Sequence, residues 1–282
     1  MLDYPFWVND FDRVRDHRIT HPDVAKIFDY PVAFWYGAKK GKNAYTNLEH
    51  SLKRFLRRSS PKLPYFVMYN LPNRDIGQYS KGGADSATEY LLFLQDFCNG
   101  IKGHKPIIIF EPDALPHTTM MTPTEALYRT NLMKEGINVL TQESDALVYV
   151  DIGHSNWLEP EHAGELISRV SNSNIRGFSV NVSNYRTTEE SMEWALKVCE
   201  YRPNDYFVID TSRNGNGPHG NDWCNPPGRS LGLHPTCDTG NDKCDAYLWV
   251  KIPGESDGKG NGGPRAGRFW AEMGSDLVNN TN

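Results

Sequence analysis

Apolar runs in this chain end repeatedly in carboxylates and amides, and those ends are where chemistry is to be sought. Ile107-Ile108-Ile109-Phe110 leads into Glu111-Pro112-Asp113, and the run Tyr65 to Tyr69 leads into Asn70 and Asp75. Ala146 to Val150 ends in Asp151, Gly177 to Val180 in Asn181 and Asn184, Tyr206 to Ile209 in Asp210, and Ala246 to Val250 in Lys251 and Glu255. One protonated and one ionised carboxyl group are the minimum for acid–base cleavage of a glycosidic bond. Asp113 is the candidate acid. The apolar run before it and Ala114, Leu115 and Pro116 after it make its surroundings poor in polarity, which raises a carboxyl pKa and keeps the proton on near neutral pH. The same segment also suits an Asp that does no more than cap the following turn.

Other chemistries lack their residues. No Gly-x-Ser-x-Gly elbow is present for Ser-His-Asp hydrolysis, and neither a Walker loop nor a Gly-x-Gly-x-x-Gly follows a strand. The glycine-rich stretch Gly215 to Gly220 reads as a turn rather than a phosphate cradle. No His-Glu-x-x-His spacing occurs, and His154 beside Asp151 is a poor pair for a metal. Hydrolysis with neither metal nor cofactor remains.

Positioning these residues falls to two alternating periodicities. The short continuous apolar runs read as buried parallel strands, with Val32 to Tyr36 as the first. Between them lie helical stripes with start signals: Ser86 and Glu89 before Tyr90, Leu94, Phe97 and Cys98; Thr122-Pro123-Thr124-Glu125; Pro160; and Thr187 with Glu190 before Trp194 and Val198. Strands alternating with helices give a parallel sheet. In a β/α barrel every strand end converges on one mouth, whereas in an open doubly wound sheet only those at the switch point do. So many polar strand ends favour the barrel, and residues 1–282 read as a single domain.

Composition narrows the partners. A net charge of −5 over 282 residues and the lack of a Lys/Arg run give no surface for nucleic acid. No apolar stretch reaches the ~20 residues of a membrane span, and the first residues carry no signal-peptide pattern. Of the five cysteines, Cys98 and Cys199 fall in helical stripes and read as buried thiols, while Cys224, Cys237 and Cys244 lie in a Gly/Pro/Asn-rich stretch that allows one disulfide. Their spacing fits no zinc site.

Six motifs in order carry a family resemblance: Tyr69-Asn70-Leu71-Pro72-Asn73-Arg74-Asp75, Glu111-Pro112-Asp113, Val150-Asp151-Ile152-Gly153-His154-Ser155-Asn156-Trp157, Asn181-Val182-Ser183-Asn184-Tyr185, Asp222-Trp223-Cys224-Asn225, and Trp249 to Gly258. Together they resemble glycoside hydrolase family 6, and Asp210 to Pro218 resembles its bacterial-type endoglucanases. The resemblance implies a distorted, partly open β/α barrel with a cleft for β-1,4-glucan at the C-terminal ends of the strands, and inversion at the anomeric carbon. By matching positions, Asp113 protonates the leaving oxygen, Asp75 lies close to it and raises its pKa, and Tyr69 sits under the distorted sugar. Asp257 matches the debated base position, expected roughly 6.5–9.5 Å from Asp113 to leave room for water. Asp151 is expected to hold the acid and neighbouring sugar hydroxyls. Trp35, Trp157 and Trp223 are the sugar platforms, and His154, Asn184, Lys251 and Glu255 the hydroxyl partners; core filling is the alternative for the tryptophans.

The chain departs from the family pattern at Ile76, which replaces a cysteine, and at Ser256 and Lys259, where a partner for Cys224 is usual. Both family disulfides are therefore expected to be missing. Lys81 stands where a serine normally holds the catalytic water, with Ser80 next to it. That raises a cellulose-binding pseudoenzyme as one alternative; a processive cellobiohydrolase is the other. Only Gly258 to Arg268 separates the Asp257 motif from the last helix, too short for a tunnel roof, so an open cleft and internal cutting are expected. The family and its polymeric substrate imply secretion, and a monomer is expected.

Overall fold

A computed structural model describes residues 2–9, 19–37 and 47–281. Seven strands form one all-parallel sheet in chain order: β1 (Phe34–Tyr36), β2 (Phe66–Met68), β3 (Ile107–Phe110), β4 (Leu147–Asp151), β5 (Gly177–Val180), β6 (Tyr206–Asp210) and β7 (Cys244–Leu248). The crossovers are α1 (Leu48–Ser59), α2 (Ala87–Ile101), α3 (Pro123–Glu143), α4 (Pro160–Val170) and α5 (Thr188–Tyr201), and α6 (Ala271–Asn279) ends the chain. The sheet curls into a distorted, open barrel. Among the described residues no strand ladder joins β7 to β1. The seam is bridged beyond both strands, where Ala33 N–H and the Tyr65 hydroxyl donate to the Trp249 carbonyl at 3.1 Å each.

Alternation along the strands explains why they are apolar throughout. Phe66, Met68, Ile108, Phe110, Val148, Val150, Phe178 and Phe207 pack outward against the helices. Val67, Ile107, Ile109, Tyr149, Val208, Ala246 and Leu248 fill the barrel interior. Tyr4 plugs its N-terminal end, donating to Pro64 O at 2.6 Å and accepting from Ile107 N–H at 3.1 Å. A third cluster, with Val24, Ile27, Phe28, Trp249 and Leu277, seals the seam. The strand ends point the other way, toward the mouth.

The expected helix starts are present, with one capping box complete. Thr122 and Glu125 cap each other. Ser86 accepts from Glu89 N–H, but the Glu89 carboxylate takes the Asp85 N–H instead, at 2.8 Å. Thr187 caps Glu190 N–H, while the Glu190 carboxylate is drawn to Arg186 and Ser155. The last strand lies two residues earlier than its apolar run suggests. A register irregularity between Phe207 and Val208 pairs Phe207 with Cys244, and Trp249 leaves the ladder to bridge the seam.

Cys224, Cys237 and Cys244 form no disulfide; all five cysteines are free thiols. Cys244 is a buried residue of β7, Cys237 packs on the inner core, and Cys224 lies against Gly260 at the mouth.

Gly177 shows how closely β5 and β6 approach. Its φ is +155°, and a Cβ there would lie 1.7 Å from the Tyr206 carbonyl oxygen. Gly177→Ala is therefore expected to cost on the order of 3 kcal/mol of stability, read by denaturant unfolding. A loss below about 0.5 kcal/mol would show that the strands can part without strain.

Candidate active site

The carboxylates at the strand ends are of two kinds. Glu111, Asp151 and Asp210 are fully buried and serve backbone amides. Glu111 accepts from Asn70 and Leu71 N–H at 3.0 Å each, which fixes the start of the loop that carries Asp75. Asp210 accepts from Ser183 N–H (2.9 Å), Ser212 N–H (3.0 Å), Val250 N–H (3.2 Å) and Lys251 N–H (3.0 Å), joining the loops after β5, β6 and β7. Asp151 accepts from Asp113 N–H at 2.8 Å and from the Ser179 hydroxyl at 3.1 Å. Of its two expected tasks, holding the acid and holding sugar hydroxyls, the geometry shows a bond for the first: the buried carboxylate lies beneath the mouth and grips the Asp113 loop.

The second kind, Asp75, Asp113 and Asp257, faces a cavity of two lobes. Both lobes share Asp75, Asp113, Asn184 and Trp223. One, of about 280 Å³, adds His154 and Trp157; the other, of about 300 Å³, adds Trp35, Tyr69, Lys251, Glu255 and Asp257. The structure thus brings together every sequence-derived candidate except Asp151. Ser80 and Lys81 line the Asp257 lobe as well.

Backbone turns aim these groups. Glu111 and Asp113 flank Pro112 with φ of +49° and +67°, so successive carboxylates point to opposite destinations, one into the scaffold and one into the cavity. Asp75 (φ +58°) and Ile76 (φ +38°) make a second left-handed turn, unusual above all for a β-branched residue. Strain of this sort persists only where surrounding bonds enforce it. Here Asp75 accepts from Ser80 N–H at 2.6 Å, and Arg74 donates to Tyr69 O and Ser80 O while its guanidinium covers the Tyr69 ring.

Electrostatics separates Asp113 from Asp257, two carboxyls that line the same lobe. Burial, then the charges of Asp75 and Asp257, pushes the Asp113 carboxyl up to about 7. Burial also raises Asp75, against the Ser80 N–H and Arg74. Burial alone would raise Asp257 too, but Arg213 and then Lys251 hold it below the usual carboxylate range. Arg213 Nη1 lies 2.9 Å from Oδ2 and Lys251 Nζ 3.2 Å from Oδ1, and the Tyr185 hydroxyl and Asn225 N–H each donate at 3.1 Å. Near neutral pH one carboxyl of this lobe can offer a proton while the other keeps a fixed negative charge.

The polar and aromatic walls are equally held. Trp35 donates its indole N–H to Val250 O at 2.8 Å and meets Tyr69 edge-on. Burial, then Arg186, lowers His154 to about 4, so its ring is neutral; Nδ1 accepts from Asn156 N–H, leaving Nε2–H as a donor. Gly153, at φ +80°, brings the backbone against Trp157, where a Cβ would sit 3.2 Å from the indole. Trp223 is 45 % exposed.

Sequence reasoning missed Arg213 and Tyr185 as partners of Asp257. Arg213 is wholly buried. The signal available was an arginine in a Gly/Asn-rich loop directly after a buried strand, where an unpaired guanidinium would be costly.

Two outcomes follow for stability. Arg213→Met leaves a buried carboxylate short of its main counter-charge and is expected to cost about 3 kcal/mol at pH 7. Because the folded pKa of Asp257 is depressed, that contribution is present above the unfolded value of about 4 and is lost as pH falls through the folded one, so the variant and wild type converge in acid. Asp113 has the opposite sign. Its raised pKa costs stability that develops as pH rises from the unfolded value toward 7, so Asp113→Asn is expected to be more stable than wild type by about 2 kcal/mol at pH 8. Unfolding curves across pH check both; an unstabilised Asp113→Asn at pH 8 contradicts the raised pKa.

Comparison with known proteins places this geometry. Endoglucanase A of Cellulomonas fimi is 38 % identical over 258 residues, covering 91 % of this chain and 56 % of that protein. Endoglucanase A of Thermobispora bispora is 42 % identical over 205 residues, covering 70 % and 44 %. The chain thus spans about half the length of these two relatives. The structure of the endoglucanase Cel6 from Mycobacterium tuberculosis, in complex with methyl-cellobiosyl-4-deoxy-4-thio-beta-D-cellobioside, superposes with a TM-score of 0.92 at 33 % identity, covering 99 % of this chain and 97 % of that one. The model of glycosyl hydrolases family 6 matches residues 9–281, and the chain belongs to that family.

Proposed function

We propose that this protein is an inverting endo-β-1,4-glucanase that hydrolyses internal bonds of cellulose and related β-glucans. The observation that carries the reading is the split between a carboxyl raised to about 7 at Asp113 and an ionised one at Asp257, on one cavity lined by tryptophans. The endoglucanase names of the relatives and the cellobioside-type ligand of the Mycobacterium tuberculosis structure support the substrate class.

Asp113 gives its proton to the leaving oxygen, and the nearby Asp75 charge keeps that proton in place until the bond polarises. Tyr69, under the Arg74 guanidinium, supports the sugar at the cleavage point. Asp257 is a weak base because Arg213 and Lys251 stabilise its charge, so its work is to favour positive charge developing on the sugar ring and to orient water. Inversion needs room for a water between the acid and the second carboxyl, and Asp113 and Asp257, which line the same lobe, are the pair proposed to frame it. Trp35 serves one lobe, Trp157 the other, and Trp223 both, with His154, Asn184, Lys251 and Glu255 as hydroxyl partners.

Internal cutting is supported by the loop after Asp257. It is short and folds back on itself, with Ser256 N–H donating to Arg268 O and Gly267 N–H to Ser256 O, so that Arg265, Ala266 and Gly267 form one wall of the Asp257 lobe. The protein is proposed to act as a single-domain monomer outside the cell, where its polymer lies. No helix among the described residues is long and apolar enough to cross a membrane.

Wild type is expected to release reducing ends from carboxymethylcellulose with rapid viscosity loss, and Asp113→Ala to lower kcat by roughly 10²–10⁴. Activity is expected to fall as pH rises through about 7, as Asp113 loses its proton. Equal sugar release from wild type and Asp113→Ala would instead favour a cellulose-binding pseudoenzyme, with Lys81 as its cause. Cellobiose release at constant viscosity would favour a processive cellobiohydrolase.

A further inference from the structure

Tyr79 was no part of the expected site, yet it lies where the two halves of the cleft meet. It belongs to the loop after β2, and Trp223 to the loop after β6; with the strands in sequential order, β3, β4 and β5 stand between them, so these loops reach the mouth from separate sides. Their rings meet with centroids 6.0 Å apart at 48°. Both are half exposed, Tyr79 at 49 % and Trp223 at 45 %, which places the contact on the solvent side of the cavity. Trp223 borders both lobes, and Tyr79 borders the one holding Asp257.

Room for the ring is provided next to Asp257. Gly258 has φ +146°, and a Cβ on it would come within 2.4 Å of the Tyr79 ring. The base of the Tyr79 loop is fastened by Asp75, which accepts from Gln78 N–H at its carbonyl and from Ser80 N–H at its carboxylate. Above that turn the ring itself is held by packing, on Gly258 and against Trp223, with no disulfide between the loops. Parting the rings therefore breaks packing contacts and leaves the hydrogen bonds of the Asp75 turn in place.

On the glucanase reading, a glucan lying along both lobes runs past this pair on its buried side. A chain end can thread under it, but an internal segment enters only when the rings part. We propose that Tyr79, through its contact with Trp223, is a specificity-determining residue: the two rings bridge the cleft over the cleavage point and restrain entry of internal glucan segments. The inference rests on the β-glucanase reading above.

The test compares wild type, Tyr79→Ala and Tyr79→Phe as full chains on soluble carboxymethylcellulose, measuring viscosity loss per reducing end released. Tyr79→Ala is expected to raise that ratio about threefold or more, and Tyr79→Phe, which keeps the ring, to leave it at the wild-type value. A merely structural role would lower the melting temperature and the rate without changing the ratio. Tyr79→Leu, which removes the ring but keeps apolar bulk on Gly258, is expected to raise the ratio as well, and it serves if Tyr79→Ala fails to fold. A flat ratio in the folded variants, or an equal rise in Tyr79→Phe, overturns the bridge. No reducing-end release by wild type would overturn the glucanase reading instead.

Discussion

Two carboxyl groups on one cavity cannot do different work unless something drives their proton affinities apart. In this protein the burial that surrounds both would raise both. The difference comes from counter-charge: Arg213 and Lys251 converge on Asp257, while Asp113 has only carboxylates for charged neighbours among the causes of its shift. Coulombic attraction at short range in a poorly screened interior outweighs the cost of desolvating Asp257. Without that guanidinium, Asp257 would move toward its protonated form, and its charge would cease to help hold the proton on Asp113.

Holding this imbalance in place is the task of the strand ends. Glu111, Asp151 and Asp210 spend their lone pairs on backbone amides of the loops after β2, β3, β5, β6 and β7. They convert flexible connections into fixed brackets. The left-handed backbone at Asp75, Glu111 and Asp113 is the strain those brackets sustain. Stability and chemistry are opposed here: an acid kept protonated near neutrality and a turn forced to positive φ both cost folding free energy, offset by the packed layers inside and outside the barrel.

Much of this was legible in the sequence. Continuous apolar runs marked the parallel strands because both faces of the sheet are covered, and Thr122-Pro123-Thr124-Glu125 announced its helix through purely local bonds. β7 was shifted because a register irregularity and a seam contact, both long-range, decide where its ladder ends. Carboxylates at strand ends pointed to the mouth where the cavity lies, but their type could not show which face inward as brackets and which face the cavity. Asp151 and Asp113 look alike in sequence and differ only in what surrounds them. Arg213 escaped notice because its partner lies 44 residues away. The cysteine-bearing stretch misled for the same reason: Gly/Pro/Asn content allows a disulfide, and three-dimensional placement denies it.

The central claim concerns where one proton resides, and carbon-13 NMR of aspartate side-chain carboxyls, assigned by comparison with Asp113→Asn and Asp257→Asn, observes it directly. Titration is expected to give an Asp113 resonance with its midpoint near 7, and an Asp257 resonance still ionised below the ordinary aspartate value of about 4. An Asp113 midpoint near 4, or an Asp257 that takes up its proton before Asp113 does, would contradict the account.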